Sequence, residues 1–342
     1  MKREAITRTI LDTVVDRAIR DIAEDSQRSL RKLVDMGQTF AKGPFQKRYI
    51  GMIQQMLENG GSPYYDLVQD TVRNTDRASL RTFGINMGWQ SWTIGAQQIR
   101  AAEAREGFDI PWSITLRLEG DAPDAPGDYL RLLDEGRSLG IYAYFLHCGG
   151  SDGAISLALE MARRAPECAF LVFLSPALVE PWVDELSACP NLLILLDAGV
   201  PDWQTAAALL RDARRFFGYF VRCNSEACAA EVLSGAWVQS LLGHGGSMAF
   251  LLPEKSCPTR LSSQFYGYVE QARNTQRYPL LLMDYYRDVL MVDGVISDSP
   301  RYLELLPDGQ AATYADGKKQ LLPAALPDLS LDSLLRTHFP RP

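Results

Sequence analysis

Three polar side chains with acid–base capacity border apolar runs of the sequence. Asp197 ends the run NLLILLD, Asp284 ends PLLLMD, and His244 lies beside two glycines in LGHGGSM. If these runs are parallel strands, the two aspartates lie at the carboxyl ends of strands, where catalytic groups gather in α/β barrels. Carboxylates held close together there can differ in pKa and act as acid and base. These three residues are therefore the catalytic candidates.

A structural role for the same residues is the alternative, and we favour it. Aspartate at the end of a strand often caps the turn or helix that follows. A loop histidine such as His244 often serves only as a hydrogen-bond partner. The chain has three histidines, which is few for a multi-histidine metal site, and we predict no metal ligands.

A glycine pair follows another apolar run, in IYAYFLHCGGSDG. Gly149 and Gly150 let backbone N–H groups approach a ligand closely, and Ser151 and Asp152 add a hydroxyl and a carboxylate. These four residues are the ligand-binding candidates. His147, in the same run, points to the opposite face of an extended strand from the cysteine beside it, so at most one of the two faces a site.

The cysteines are widely scattered, at Cys148, Cys168, Cys189, Cys223, Cys228 and Cys257. Their spacing lacks the short intervals typical of cluster or zinc ligands. The N-terminal stretch interleaves charges with apolar residues and does not resemble an export signal. We therefore predict reduced, mostly buried thiols.

Helical periodicity dominates the first part of the chain. An apolar residue recurs at every fourth position at Ile6, Ile10, Val14, Ala18 and Ile22. This stripe predicts an amphipathic helix that packs on the body of the protein or on a second copy. Further helices are predicted for PFQKRYIGMIQQMLEN and SPYYDLVQDTVRN, and the helical pattern continues to residue 107. Residues 1–107 are thus predicted to form a helical N-terminal region.

From residue 108 onward, near-continuous apolar segments alternate with segments of helical length. The predicted strands are WSITLRL, IYAYFLHC, CAFLVFLS, NLLILLDAG, FGYFVRCN and SMAFLLP. Such alternation is typical of βα units with a parallel sheet covered by helices. We therefore predict an α/β fold with a βα core over residues 108–263. Residues 264–342 are predicted to contain a helix, the strand YPLLLMD, a hairpin that turns at Pro-Asp-Gly, and a Pro-rich end.

The composition narrows the class of partner. The formal net charge of −7 over 342 residues argues against nucleic-acid binding through a general positive field. No stretch approaches the ~20 consecutive apolar residues that span a bilayer. We expect a cytoplasmic protein that binds neither nucleic acid nor membrane.

The order of landmarks over roughly residues 40–320 resembles the radical S-adenosylmethionine (radical SAM) family. FDIPWSITL is similar to the family's entry into its first strand, and RSLGIYAYFLHCGG to the second strand and its Gly-Gly turn. CAFLVFLSPALVE, FGYFVRCNSE and YPLLLMDYYRDVLMVDGVISDSPRYLELLPDGQAATY resemble the later strands and the C-terminal hairpin. The resemblance is to a clostridial-type branch with a SPASM-like auxiliary segment. It implies a partial (βα)6 barrel with a helical N-terminal region and a small C-terminal β-hairpin extension.

The sequence departs from this family where the family's chemistry needs specific residues. The family holds a [4Fe–4S] cluster with three cysteines in a Cys-x3-Cys-x2-Cys loop after the first strand, but the corresponding stretch EGDAPDAPGD contains no cysteine. Ser151 and Asp152 stand where the family has Glu and Pro, although Asp152 still offers a carboxylate. Val295 and Tyr314 stand where the auxiliary segment usually has cysteines. The resemblance thus implies a degenerate member, and we expect neither an iron–sulfur cluster nor SAM as a cofactor.

These losses predict a pseudoenzyme that serves as a binding, scaffold or regulatory partner. Its partner would be an active radical SAM relative, the substrate of such a relative, or a second copy of this chain bound through the N-terminal helix. The alternative is a protein that binds a small molecule such as SAM or a nucleotide at the barrel mouth. In that alternative, the mouth has acquired non-radical, polar catalysis.

Overall fold

A computed structural model describes residues 2–40, 51, 53–54, 56–119, 126–254, 257–297, 299–315, 318–326 and 330–341. Most of the predicted helix PFQKRYIGMIQQMLEN lies outside these residues, as do residues 120–125 of the loop after the first strand. The other predicted strands and helices can be compared with the structure directly.

Helices and strands alternate along most of the chain. The α-helices are α1 (Lys2–Glu24), α2 (Ser26–Phe40), α3 (Pro63–Asn74), α4 (Arg77–Ile85), α5 (Ala96–Glu106), α6 (Pro126–Leu139), α7 (Asp152–Arg164), α8 (Val179–Ser187), α9 (Trp203–Asp212), α10 (Glu226–Ser234), α11 (Ala236–Leu241), α12 (Thr259–Asn274), α13 (Tyr285–Ile296) and α14 (Leu331–His338). The strands are β1 (Ser113–Arg117), β2 (Ala143–Gly149), β3 (Ala169–Leu174), β4 (Leu192–Asp197), β5 (Phe217–Cys223), β6 (Met248–Pro253), β7 (Leu281–Asp284), β8 (Leu303–Leu305), β9 (Gln310–Ala315) and β10 (Lys318–Ala325). A π-helix (Asn86–Gly95) joins α4 to α5, and a short 3₁₀-helix (Pro176–Leu178) precedes α8.

The six core strands predicted from apolar runs are all present, and so is the later strand YPLLLMD as β7. Burial explains the strength of the signal, because every residue of β1 and β3 is buried. Strands covered on both faces read as continuous apolar runs. The α/β class is therefore confirmed.

The chain divides into two compact units. One consists of residues 1–81 and 210–285, and the other of residues 82–209 and 286–342. We call them the split N-terminal unit and the split C-terminal unit, and describe each by itself.

The split N-terminal unit contains a parallel sheet in the order β5-β6-β7. Its first three helices pack on one another. On α1, Ala18 and Ile22 of the predicted apolar stripe are buried, whereas Ile10 is 52% exposed. Ser62 caps α3, and Pro63 occupies its first turn, as SPYYDLVQDTVRN predicted.

The split C-terminal unit contains strands in the order β10-β9-β8-β1-β2-β3-β4. The four neighbouring pairs from β8 to β4 are parallel, and β8, β9 and β10 pair antiparallel. The predicted hairpin is β8–β9, with Gly309 at φ +79 in its turn. This hairpin extends the sheet beside β1, so the C-terminal segment lies next to the first predicted strand.

Strand β10 is not predicted from the sequence, because its residues include a proline and suggest an irregular segment. A register shift separates Leu321 from Ala325, and Pro323 lies within that irregular stretch. Proline is tolerated on an edge strand at such an irregularity, because its missing N–H costs no ladder bond there. Among the described helices, none combines the length and apolar character needed to cross a bilayer.

Candidate functional site

A cluster of charged and aromatic side chains, centred on the buried Arg117 and Glu304, lies where β1 and β2 end, beside β8. We call it the Arg117 cluster, and its members are Arg117, Glu119, His147, Tyr286, Glu304 and Lys319. All six residues belong to the split C-terminal unit. The register brings them together, because Arg117 lies opposite His147 on β2, while β8 flanks β1 on its other side.

The guanidinium of Arg117 is engaged by neighbours on every side. Its Nε donates a short hydrogen bond to Glu304. Its Nη1 donates to Glu119 Oε1 at 3.2 Å and lies 3.4 Å from His147 Nδ1, and its Nη2 donates to the Tyr286 hydroxyl at 3.4 Å. The Arg117 side chain is only 5% exposed, so these contacts replace its hydration.

The charges within the cluster balance. Glu304 is completely buried and receives a second cation, because Lys319 Nζ lies 2.9 Å from its Oε2. Two cationic side chains thus face two carboxylates, those of Glu304 and Glu119. A buried charge is costly unless it is paired and hydrogen-bonded, and here Glu304 Oε1 accepts from both Arg117 and Lys319.

Aromatic rings fill the space around the charges. The His147 ring stacks on Phe173 with centroids 4.0 Å apart. Tyr314, which stands where the resemblance expects a cysteine, stacks on Tyr286 at 4.4 Å, and Tyr302 contacts the Tyr286 ring edge to face. The aromatic side chains therefore occupy the volume beside Arg117.

The backbone conformation at residue 149 explains why this residue is a glycine. It has φ +56, in the left-handed region that favours glycine, and the β2–β3 register shifts between His147 and Gly149. A Cβ at Gly149 would lie 3.0 Å from the Cβ of Glu119, and one at Gly150 would lie 3.8 Å from the Cβ of Ser175. The turn therefore packs against protein atoms, and Ser175 N donates to the Gly149 carbonyl at 2.7 Å.

Ser151 and Asp152 make local structural contacts. Ser151 caps α7, its hydroxyl accepting from Ala154 N at 3.3 Å. Asp152 lies in the first turn of α7 and accepts from the indole N–H of Trp182 at 2.7 Å. Both interactions stabilise a helix start, and the hydroxyl and carboxylate predicted to bind a ligand point to protein partners.

The catalytic candidates are distributed over both units. Asp197 Oδ1 accepts from Gly199 N at 3.0 Å, which is the turn-capping geometry that we favoured from sequence. His244 lies four residues before β6, whereas Asp284 is the buried last residue of β7, which runs parallel to β6. His244 and Asp284 therefore lie at opposite ends of the same sheet, and the structure does not bring these two together.

An open groove lies at the carboxyl ends of β3 and β4, with a volume of about 510 Å³. It adjoins the glycine pair through Ser175. Glu180 and Asp202 give the groove an acidic character. Its lining is Ser175, Pro176, Ala177, Glu180, Val200, Pro201, Asp202, Thr205, Ala206 and Leu209.

The residues at the end of β1 do not fit the cofactors that the resemblance would imply. A SAM-binding cluster needs three thiolates and an open iron, and residues 118–128 contain no cysteine. The nearest thiol along the chain, Cys148, is buried, and burial raises its pKa and so disfavours the thiolate. Within the described residues, no three His, Cys, Asp or Glu side chains are arranged to hold a metal ion.

The sequence contained a signal for the Arg117 cluster that was missed. Arg117 is the one charged residue in the run WSITLRL, and Glu304 is the one charged residue in the run YLELL. Lone charges of opposite sign in two apolar strands point to a buried ion pair, since an unpaired charge would not be tolerated there.

Comparison with models of protein families found no match, and comparison with curated proteins found none either. The residues and their contacts are therefore the basis for the function proposed below.

Proposed function

We propose that this chain is a radical-SAM-like pseudoenzyme, without an iron–sulfur cluster, that acts as a binding, scaffold or regulatory partner. The observation that carries the proposal is the Arg117 cluster. It fills the carboxyl end of β1, β2 and β8 with side chains whose charges already balance. In the radical-SAM-like partial barrel that we propose, this is the region where a cofactor would bind.

Changes at separate positions support the same proposal. The cysteines of the primary loop are missing, the Glu position is Ser151, and the auxiliary position Tyr314 is part of an aromatic stack. The apolar strands and the left-handed Gly149 persist. The chain has thus kept the residues that a βα fold needs and has lost those that radical chemistry needs.

The proposed partner is an active radical SAM relative, the substrate of such a relative, or a second copy of this chain. On α1, Ile10 is exposed although it belongs to the apolar stripe of that helix. An exposed large aliphatic side chain next to a buried stripe suits a docking helix, and α1 is the element that we assign to this role.

Iron–sulfur reconstitution tests the proposal. The purified full-length chain is incubated anaerobically with ferrous iron, sulfide and reductant, and an active radical SAM enzyme is treated in parallel. We expect the chain to bind no stoichiometric iron and acid-labile sulfide, and to form no 5′-deoxyadenosine from SAM. A stoichiometric cluster with SAM cleavage would overturn the proposal.

The acidic groove favours a second candidate function, the binding of a small cationic molecule. Glu180 and Asp202 would repel the phosphates of a nucleotide but attract the sulfonium and ammonium groups of SAM. A ligand that binds only the native state stabilises it by about 2.7 kcal/mol at 100 times its Kd.

Thermal unfolding in the presence of ligands tests this second candidate. It predicts that SAM raises the Tm, that ATP does not, and that S-adenosylhomocysteine, which lacks the sulfonium charge, has a smaller effect. Asp202→Asn is the matched variant, because Asp202 has φ +64 and asparagine tolerates that conformation. If SAM, ATP and S-adenosylhomocysteine all give the same Tm, the groove is not a SAM site.

A further inference from the structure

Three of the cysteines lie at or after the carboxyl ends of β5 and β6. The thiol of Cys228 lies 3.9 Å from the carbonyl oxygen of Arg222, the residue before Cys223, and Cys228 and Cys257 both raise the pKa of the Cys223 thiol. All three belong to the split N-terminal unit. This group, which we call the thiol triad, has no part in the proposed function above.

The backbone holds the triad in place. Cys223 is the last residue of β5, and its carbonyl accepts from Glu254 N at 2.9 Å. The Glu254 carbonyl in turn accepts from Cys257 N at 2.9 Å. Ser225 caps α10 and accepts from Cys228 N at 3.3 Å, which places Cys228 in the first turn of that helix.

The three thiols differ in their access to solvent. Cys223 is completely buried and Cys257 is 6% exposed, whereas Cys228 is only partly buried. The hydrogen bond with Cys228, burial and the charges of the neighbouring thiols all raise the pKa of Cys223. Cys223 therefore keeps its proton, and Cys228, at the start of a helix, is the thiol that an oxidant in solution meets first.

We propose that the triad is a site of reversible peroxide oxidation, with a disulfide forming between Cys228 and Cys223. The sulfur of Cys228 attacks hydrogen peroxide, so that an S–O bond forms, the O–O bond breaks and water leaves. The Cys223 sulfur then attacks the resulting sulfenic acid. An S–S bond forms, the S–O bond breaks, and the proton of Cys223 leaves with the hydroxyl as a second water. Two thiols are oxidised and one peroxide is reduced.

The alternative use of three thiols, metal binding, has less support. Among the described residues these thiols do not form a ligand set for a metal ion. A disulfide needs only two sulfur atoms to approach each other, so it does not require all three thiols to surround one point.

Peptide mapping distinguishes the possible pairings. Cleavage after Arg222, Lys255 and Arg260 places Cys223 and Cys228 on one peptide, residues 223–255, and Cys257 on another, residues 256–260. The folded full-length protein is treated with hydrogen peroxide, and its remaining thiols are alkylated under denaturing conditions. The protein is then cleaved, and the peptide masses are measured by mass spectrometry. We expect peptide 223–255 to be lighter by two hydrogens and unalkylated in most molecules, with dithiothreitol restoring the thiols. The peptide with the buried Cys168 and Cys189, residues 165–211, should remain fully alkylated.

Single substitutions provide the controls. Cys257→Ser should form the same disulfide, whereas Cys223→Ser should stop at a sulfenic acid on Cys228 that dimedone traps. Circular dichroism checks that each variant is folded. A triad that stays reduced, a link between peptides 223–255 and 256–260, or a disulfide between two chains would each overturn the proposal.

Discussion

Replacement of Glu304 by methionine is expected to lower the free energy of unfolding by about 3–5 kcal/mol, the usual cost of breaking a buried ion pair. Glu304 is completely buried, and its removal leaves the Arg117 guanidinium, itself 5% exposed, without its closest carboxylate. Lys319 is 33% exposed and can return to water. Arg117 cannot, because β2, β8 and Tyr286 enclose it. Urea denaturation followed by circular dichroism measures the change.

A double substitution separates the loss of the charge pair from the loss of packing. Arg117→Met together with Glu304→Met removes both buried charges, so the double variant should be more stable than the sum of the single effects predicts. Asp134→Met is the control, since Asp134 is 40% exposed and pairs with Arg164 at the surface. Asp134→Met should lower the free energy of unfolding far less, because exposed ion pairs are screened by solvent. Additive losses, or a Glu304→Met variant as stable as the parent, would contradict the account of a filled, self-balanced site.

The fold was largely predictable because its strands are covered on both faces. Runs such as CAFLVFLS and NLLILLD read as buried strands at once, since nearly every side chain in β3 and β4 is buried. The Pro-Asp-Gly turn likewise predicted the β8–β9 hairpin. The period of the apolar residues carries this information locally, without knowledge of what packs against each strand.

The long-range pairings were not predictable in the same way. The pairing of β8 with β1 joins residues more than half of the chain apart, such as Ile114 and Leu303, and no local pattern in the sequence predicts it. The Arg117 cluster depends on that pairing, because it brings Glu304 to Arg117. The sequence predicts that at most one of His147 and Cys148 faces a site. The β1–β2 register places His147 beside Arg117.

The candidate ligand residues make structural contacts in the fold. From sequence, Gly149 to Asp152 were interpreted as a ligand turn because glycines and a carboxylate follow a strand. In the structure Ser151 and Asp152 stabilise α7, and Gly149 permits a close approach to Glu119. A turn of this kind is needed to leave β2 and enter α7, whether or not a ligand is present.

A second buried charge cluster lies at the other end of β1 and depends on the C-terminal residues. Arg341 Nη2 lies 2.8 Å from Glu103 Oε2, and its Nε lies 2.7 Å from Asp109 Oδ1. Both carboxylates are nearly completely buried, whereas Arg341 is 24% exposed. Asp109 retains Arg301 as a second partner at 2.8 Å. Arg341 thus matters most for Glu103.

Arg341→Met is expected to lower the free energy of unfolding by about 2–3 kcal/mol near neutral pH, because a buried carboxylate loses its charged hydrogen-bond donor. Burial raises the pKa of Glu103, and Arg341 opposes that shift. A carboxyl group with a raised folded-state pKa contributes stability below its unfolded pKa and loses that contribution as pH rises through the folded pKa. Without Arg341 the pKa of Glu103 rises further, so the loss of stability in the variant should grow as the pH rises above the ordinary pKa of glutamate.

Arg336→Met provides the comparison, because Arg336 pairs with Glu106 at 3.0 Å but is 53% exposed. Hydrogen bonds from Arg105 and Arg336 lower the pKa of Glu106, so their contribution is lost only in acid. Arg336→Met should therefore lower the free energy of unfolding only slightly, and by the same amount throughout that pH range. Urea titrations of both variants at several pH values test this contrast. If the two variants show the same pH dependence, Glu103 does not depend on Arg341, and the C-terminal residues do not stabilise this end of β1 through charge.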